Sequence, residues 1–565
     1  MSTPRPADIN YTFSDAELDE LRPYGTVQSH EAGETLTPEG RTQGDMLVTL
    51  SGETHIFIET PEGPRRMGWM ERGQFSGDVG VLAGQASIAY ITMGKAGDVL
   101  HIAYPDFQRL LVENSHLSDI FVNTLTARRA FARDQNHSAV IVIGPAQDRT
   151  VFTARDLLSK FGVPHRWLSP DADSLARSIM DAKGLTDGDL PVVLRGRSQT
   201  LVKPTAAEIA AAFGFDLLPD GAKADVIVIG AGPAGLAACV YAASEGLDVV
   251  AIDSHNPGGQ AGTSSKIENY LGFPSGVSGQ ELTERAMTQA MKFGARIAAP
   301  VEATALERVD DFYCLTLSDG RKIGGRSVVI ATGAQYRRLP IDDLERYEGR
   351  GIYYGATPME AQLCSDMEIA IVGAGNSAGQ GAVFLSQTCR HVHILYRRAD
   401  IRETMSDYLV RRLEETPNIT LHPETEIAAL HGLGLEDETR DRLKSVTVRN
   451  RAGGETGPLE TPFVFLFVGA RPFTDWLPEG VACDRTGFVL TGTDLKAEML
   501  TASDWPLERR PSDFETSWPC LYAVGDVRAN SVKRVASAVG QGSVVVSAIH
   551  AALAEIDVET MPQQP

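Results

Sequence analysis

A chain of 565 residues, 43% hydrophobic and 22% charged, has ordinary globular composition and the length of roughly three to four domains. Its formal net charge of -22 argues against a basic face that neutralises phosphates, so nucleic acid is not an expected partner and the charge serves solubility. Met1-Ser-Thr-Pro-Arg-Pro-Ala-Asp8 has neither an apolar signal core nor an Arg-rich amphipathic pattern, and no later run reads as a bilayer span of about 18 residues. The expectation is a cytoplasmic protein without a membrane partner.

From about Glu31 to Tyr104 short β-like runs alternate with glycine turns, as in Asp45-Met-Leu-Val-Thr-Leu50, Ser51-Gly52 and Thr54-His-Ile-Phe-Ile58, which predicts a β-roll or barrel. Amphipathic helices flank it at Asp15 to Leu21, Pro105 to Leu111 and Leu117 to Ala132, and Arg133 to His137 reads as a linker. Next comes a small α/β unit with strands at Ala139 to Ile143, His165 to Leu168 and Pro191 to Leu194. Its helices are expected near Thr153 to Lys160, Asp173 to Ala182 and from Thr205, where Thr205-Ala-Ala-Glu208 has capping-box spacing. Pro219-Asp-Gly221 separates this unit from the C-terminal part of the chain.

Two glycine turns then carry chemistry. Asp225-Val-Ile-Val-Ile229 reads as a buried strand, and Gly230-Ala-Gly-Pro-Ala-Gly235 as the tight turn that brings backbone amides and a helix N-terminus onto a pyrophosphate. The next strand, Leu247 to Ile252, ends at Asp253, suitably placed for ribose hydroxyls. Glu368-Ile-Ala-Ile-Val372 leads into the second turn, Gly373-Ala-Gly-Asn-Ser-Ala378, whose following strand ends in Arg397-Arg398 with Arg402 behind. Guanidinium groups there favour a phosphate monoester and predict NADPH over NADH. The six cysteines, at 239, 314, 364, 389, 483 and 520, form no C-x-x-C and no ligand-like spacing, so most are expected to be buried small hydrophobes, and neither they nor the histidines form a metal site.

Across most of Ala224 to Leu553 the chain resembles the low-molecular-weight thioredoxin reductases. Gly258-Gly-Gln260 with Ile267-Glu-Asn-Tyr-Leu-Gly-Phe-Pro274 is similar to their flavin-side loop, Val328-Val-Ile-Ala-Thr-Gly333 to their strand return, Val468-Gly-Ala-Arg-Pro472 to the second crossover and Tyr522-Ala-Val-Gly-Asp526 to the FAD ribitol-phosphate motif. The resemblance implies two Rossmann-like α/β domains: an FAD domain split over 224–339 and 463–555, and an NADPH domain inserted at 340–462, in a homodimer whose NADPH domain rotates. It assigns FAD to Gly230, Gly232, Pro233, Ala234, Gly235, Asp253, Gly259, Gln260, Asn269, Thr332, Gly333, Gly525, Asp526, Val535 and Ala536. NADPH falls to Gly373, Gly375, Asn376, Ser377, Ala378, Arg397, Arg398 and Arg402.

The departure is as specific. Where that family carries Cys-Ala-Thr-Cys-Asp, this chain reads Gly355-Ala-Thr-Pro-Met359. Without sulfur at Gly355 and Pro358, dithiol exchange has no place to run there. Cys364 is a single thiol unable to close an internal disulfide, and Glu360 is either a displaced proton donor or a solvated loop carboxylate. Lys533-Arg-Val-Ala536 replaces the family's Arg-Gln-Ala, so Val535 removes an amide partner of the flavin.

Residues 1–135, with Gly33 to Gly40 and Phe75-Ser-Gly77-Asp78, resemble a cyclic-nucleotide-binding β-roll. Ser87 stands where the phosphate-binding arginine belongs, which argues against cyclic-nucleotide binding at Gly77, Asp78 and Ser87. Residues 138–217 resemble a thioredoxin- or glutaredoxin-like domain, with Asp189-Leu-Pro191 as its cis-proline strand and Gly144-Pro-Ala-Gln147 in the dithiol position without sulfur. The expected function is an NADPH-dependent FAD oxidoreductase that passes electrons from flavin directly to a small-molecule or protein acceptor. The alternatives are a disulfide reductase using Cys364 or a partner's thiol, and a redox or nucleotide sensor with little turnover.

Overall fold

The computed structural model describes residues 9–60, 63–77, 79–134, 139–146, 148–196, 199–264, 266–309, 312–336, 338–434, 441–454 and 456–560. Most of the expected linker, from 135 on, lies outside them. At the N-terminal end, two antiparallel sheets form: Thr26–His30, Gly97–Ile102 and Met46–Thr49 in one, and Thr35–Thr37, Tyr90–Lys95, Glu53–Thr60 and Gly63–Met70 in the other. Helices Tyr104–Glu113 and Ser115–Asp134 follow. They close a core of Met46, Val48, Phe75, Phe107 and Phe121 that also takes in Leu236, Met287 and Met291 from the next unit but one. The roll is therefore packed onto the nucleotide-binding part of the chain.

The second unit is a four-stranded sheet in the order Gln199–Val202, Val192–Arg195, Val140–Ile143 and Arg166–Leu168. Its first two pairings are antiparallel and its last is parallel; the peptide bond Leu190–Pro191 is cis. Helix α1, Arg149–Lys160, starts four residues before the sequence expectation, because the Asp148 carboxylate caps it by accepting the Thr150 and Val151 amides.

Five parallel strands, Arg296–Ala298, Val249–Ile252, Lys223–Ile229, Lys322–Ile330 and Leu521–Ala523, build most of a seven-stranded sheet. The antiparallel pair Phe312–Leu317 and Ala303–Val309 completes it. Runs such as Val226 to Val228, each fully buried, suit a sheet covered on both faces. The first glycine turn ends strand Lys223–Ile229 and opens helix α2, Pro233–Ser244. An inserted all-parallel sheet follows, in the order Ile352–Tyr353, Phe463–Leu466, Glu368–Val372, His391–Leu395 and Ile419–His422. Within it stand the short helix α3, Pro358–Leu363, and α4, Asn376–Leu385, which the second glycine turn opens. The ribbon pairing Ala334–Tyr336 with Ala470–Pro472 joins the two sheets.

The last helix, α5, Val535–Thr560, corrects one expectation. Its stretch Val535–Glu555 is long and apolar enough to cross a membrane, although no such run was expected from the sequence. One face of it serves the core: Val545, Val546, Ile549 and Leu553 are buried against α2 and the seven-stranded sheet. A Cβ on Gly542 would meet the Ala234 carbonyl oxygen at 2.1 Å, so the two helices touch backbone to backbone. Close approach, with Ala and Val as the filling, accounts for the composition of that face.

Candidate functional site

Both glycine turns open onto one cavity of about 1440 Å³. Gly230 and Gly373 begin the turns at φ 104° and 145°, and a Cβ on either would meet a carbonyl oxygen, of Ala331 or Phe467, at 2.4 Å. Only glycine meets both demands. The middle glycines behave differently: a Cβ on Gly375 would find nothing within 4 Å, and on Gly232 only the Gly259 Cα at 3.8 Å. At the third position a Cβ on Gly235 would lie 1.8 Å from the Gly230 carbonyl oxygen, while Ala378 is fully buried. First position for the turn, second open to the cavity, third for helix packing is the arrangement a dinucleotide pyrophosphate needs, with the N-termini of α2 and α4 as amide donors. The donor set therefore fits two dinucleotides.

Around the first turn the cavity is lined by Gly230, Gly232, Pro233, Ala234, Asp253, Gly259, Gln260, Thr332, Gly333, Gly525, Asp526 and Val535. Asp253 accepts the Ala231 amide at 2.8 Å and the His255 amide at 2.9 Å, so it also holds the turn it serves. Burial pushes the carboxyls of Asp253 and Asp526 up. Gln260 donates through Nε2 to the Ala334 carbonyl, tying the loop to the strand crossing. Val535 supplies no amide, but Gln541, on the same helix, accepts the Gly525 amide at 2.8 Å. Three predicted FAD residues stand off the cavity: Gly235, which packs α2, Asn269, which is exposed beside the Arg412–Glu268 ion pair of 3.1 Å, and Ala536.

At the second turn Gly373, Gly375, Asn376, Ser377, Ala378, Arg397 and Arg398 line the cavity, and Arg402 does not. Arg402 is drawn aside by Glu414, at 2.7 Å, and caps nothing in the site. A third guanidinium comes from elsewhere. Arg451 lines the same wall, brought there by a backbone chain in which Arg451 donates to the Glu424 carbonyl at 2.7 Å and Glu424 to the Arg398 carbonyl at 3.1 Å. Glu426 sits among these cations, and Arg449, with Arg451 and Arg397, holds its carboxyl below the usual range. Nothing in the sequence around Arg451 marked it, since it lies more than fifty residues beyond the Arg397 strand end.

The vacant dithiol positions stand off the cavity. Gly355 is buried with its Cβ direction 3.0 Å from the Thr263 Cβ, Pro358 is exposed, and neither lines the cavity. Glu360 is not a solvated loop carboxylate: it is 5% exposed on α3, accepts the Thr357 amide at 2.9 Å, and burial raises its carboxyl. Nor is Cys364 a single thiol. Its Sγ lies 3.5 Å from Cys389 Sγ, a partner 25 residues on, and both are buried in the inserted unit's core. That contact and burial hold the Cys364 thiol well above the usual range, so it stays protonated and poorly nucleophilic. No cysteine lines the cavity among the described residues. Instead Tyr354, next to Gly355, donates to Glu348 at 2.6 Å, Arg338 donates to the same carboxylate at 3.1 Å, and all three line the cavity.

In the roll, Gly77 accepts Arg128 Nη1 at 3.1 Å through its carbonyl, Ser87 donates to the Ala89 carbonyl at 2.6 Å, and Asp78 lies outside the described residues. The neighbouring Ala86 amide donates to the Phe213 carbonyl at 3.0 Å, so the second unit covers this edge.

Residues 224–542 match the family described as pyridine nucleotide-disulphide oxidoreductase. A thioredoxin reductase of Treponema pallidum is 32% identical over 333 residues, 59% of this chain and 97% of the relative. The NADPH-dependent thioredoxin reductase 3 of Arabidopsis thaliana is 30% identical over 57% of this chain and 56% of its own length. Among solved structures, the Lactococcus lactis thioredoxin reductase is 25% identical with a TM-score of 0.51, over 59% of this chain and 99% of that one. The T. acidophilum enzyme is 26% identical with a TM-score of 0.50, over 58% and 98%. The N-terminal sheets lie outside the matched residues 224–542.

Proposed function

The chain belongs to the pyridine nucleotide-disulphide oxidoreductase family, and from that premise we propose that it is an NADPH-dependent FAD oxidoreductase which hands reducing equivalents directly to an acceptor, with no internal dithiol between. The observation that carries the reading is a single cavity lined by both glycine turns and, among the described residues, by no cysteine. Thioredoxin reductases, to which the chain is similar, use FAD and NADPH. FAD, when bound, supplies a ring that takes up hydride from NADPH and gives up electrons singly or in pairs.

The chain's own residues bind and orient. Amides at the starts of α2 and α4 hold the two pyrophosphates in the direction the helix dipoles favour. Arg397, Arg398 and Arg451 grip the 2'-phosphate of NADPH, and their guanidinium charge is permanent. Phe473, Trp476 and Phe488 form an apolar wall that excludes water from part of the cavity. We assign 224–339 with 463–555 to FAD and 340–462 to NADPH, in a soluble cytoplasmic homodimer. Acceptors that need no thiol relay are quinones, small electrophiles, oxygen and one-electron carriers. Rapid anaerobic mixing of the FAD-loaded chain with NADPH is expected to bleach the flavin absorbance; an unchanged spectrum overturns the reading.

A further inference from the structure

Asp253 spends about half of its acceptor capacity on its own loop. A carboxylate offers about four lone-pair sites, and Asp253 already takes the backbone amides of Ala231 and His255. A ribose presents two hydroxyl donors. A second carboxylate beside Asp253 would let each hydroxyl donate to its own charged acceptor, and charge-assisted bonds are the stronger kind.

Such an acceptor stands on a different unit. Helix α1 lays Asp156 and Lys160 against the loop after strand Val249–Ile252, where both line the cavity beside Ser254, His255 and Asn256. Asn256 Nδ2 donates to Asp156 Oδ2 at 2.6 Å, and Lys160, 7% exposed, donates to the Gly262 carbonyl at 2.7 Å. The two residues are one helical turn apart and face the same way. For docking alone an apolar pair would serve as well or better, since burying charge carries a desolvation cost; the same helix shows that alternative in Phe152, whose ring lies 6.0 Å from that of Tyr353. An acid and a base kept at the cavity wall point to a polar ligand.

We propose that the N-terminal α/β unit completes the adenosine end of the first nucleotide site, Asp156 accepting a ribose hydroxyl of FAD while Lys160 fixes the pyrophosphate-side loop. The inference rests on the reading that the first turn takes FAD. Cofactor binding then clamps this unit to the flavin-type unit, because a ligand that binds only the docked arrangement stabilises it by mass action.

The test is titration of the flavin-free full-length chain with FAD, and separately with FMN, which lacks the adenosine. Asp156→Ala is expected to weaken FAD about tenfold or more and to leave FMN unchanged, with Asp156→Asn, which keeps the volume, falling between. Hydrogen exchange in α1 is expected to slow on adding FAD to the wild type and to slow less in Asp156→Ala. FAD affinity within twofold of wild type in both variants, or equal weakening of FAD and FMN, overturns the inference. A wild-type chain that takes up no FAD overturns the functional reading itself.

Discussion

The two glycine turns are built alike and finished differently. Each puts a positive-φ glycine against a carbonyl oxygen at the same distance, leaves the next glycine open and packs the third small residue. Beyond the turn, the first site ends in a half-buried carboxylate that holds its own loop, and it is walled by a helix from another unit. The second ends in exposed arginines, of which Arg398 is paired with the surface acid Glu403 at 2.5 Å. One motif thus yields an enclosed site suited to a resident cofactor and an open, charged site suited to one that comes and goes.

The largest way to break this contrast is to fill the turns. Gly230→Val, which forces a side chain onto the Ala331 carbonyl beneath the seven-stranded sheet, is expected to give colourless, poorly folded protein. Gly373→Val is expected to keep flavin absorbance while NADPH no longer bleaches it. Next come the guanidiniums: Arg397→Ala with Arg398→Ala should cut the preference for NADPH over NADH in kcat/KM by about 100-fold or more, and Arg451→Ala by about tenfold. Retained preference in Arg451→Ala would remove it from the phosphate pocket.

Two smaller effects sharpen the comparison. Raising salt should increase the KM for NADPH several-fold and leave bound flavin unchanged, because exposed charges are screened and enclosed ones much less. Acidification should act on the other site. Asp253 and Asp526 are pushed up by burial, so they take protons at a higher pH than ordinary carboxylates, and a protonated acid loses acceptor capacity. FAD affinity should accordingly fall as pH drops through these raised values, while the fold, whose native state binds those protons more readily than the unfolded chain, is not destabilised by them. The smallest expected effect is none: Cys364→Ser should change NADPH-dependent flavin bleaching less than twofold, since the thiol is buried away from the cavity. Loss of reduction in that variant would revive a thiol route through Cys364 and Cys389.

Local chemistry was legible from the residues alone. The strand, glycine turn and helix of each nucleotide site follow from a run of apolar residues, a forced backbone conformation and a helix start, all within about twenty positions, and the Arg397-Arg398 end is a strand away. Helix α1 was legible as a helix, but its apolar periodicity placed the start four residues late, inside the turn that the Asp148 cap adds.

What the chain order hides is everything joined across distance. Lys160 meets Gly262 over 102 positions, and Cys364 meets Cys389 over 25 with no spacing that marks either pair. Arg451 reaches the cavity wall beside Arg397 and Arg398 through two backbone bonds, and Val535–Glu555, which the sequence reading passed over, is long and apolar enough to cross a membrane but packs one face on α2. A glycine turn is dictated by sterics among neighbours in sequence, so the sequence by itself determined two dinucleotide turns and a slot without sulfur. Which side chains close the cavity depends on how separately formed units pack, and only the tertiary structure decided that the first site is walled by the N-terminal unit and the second left open.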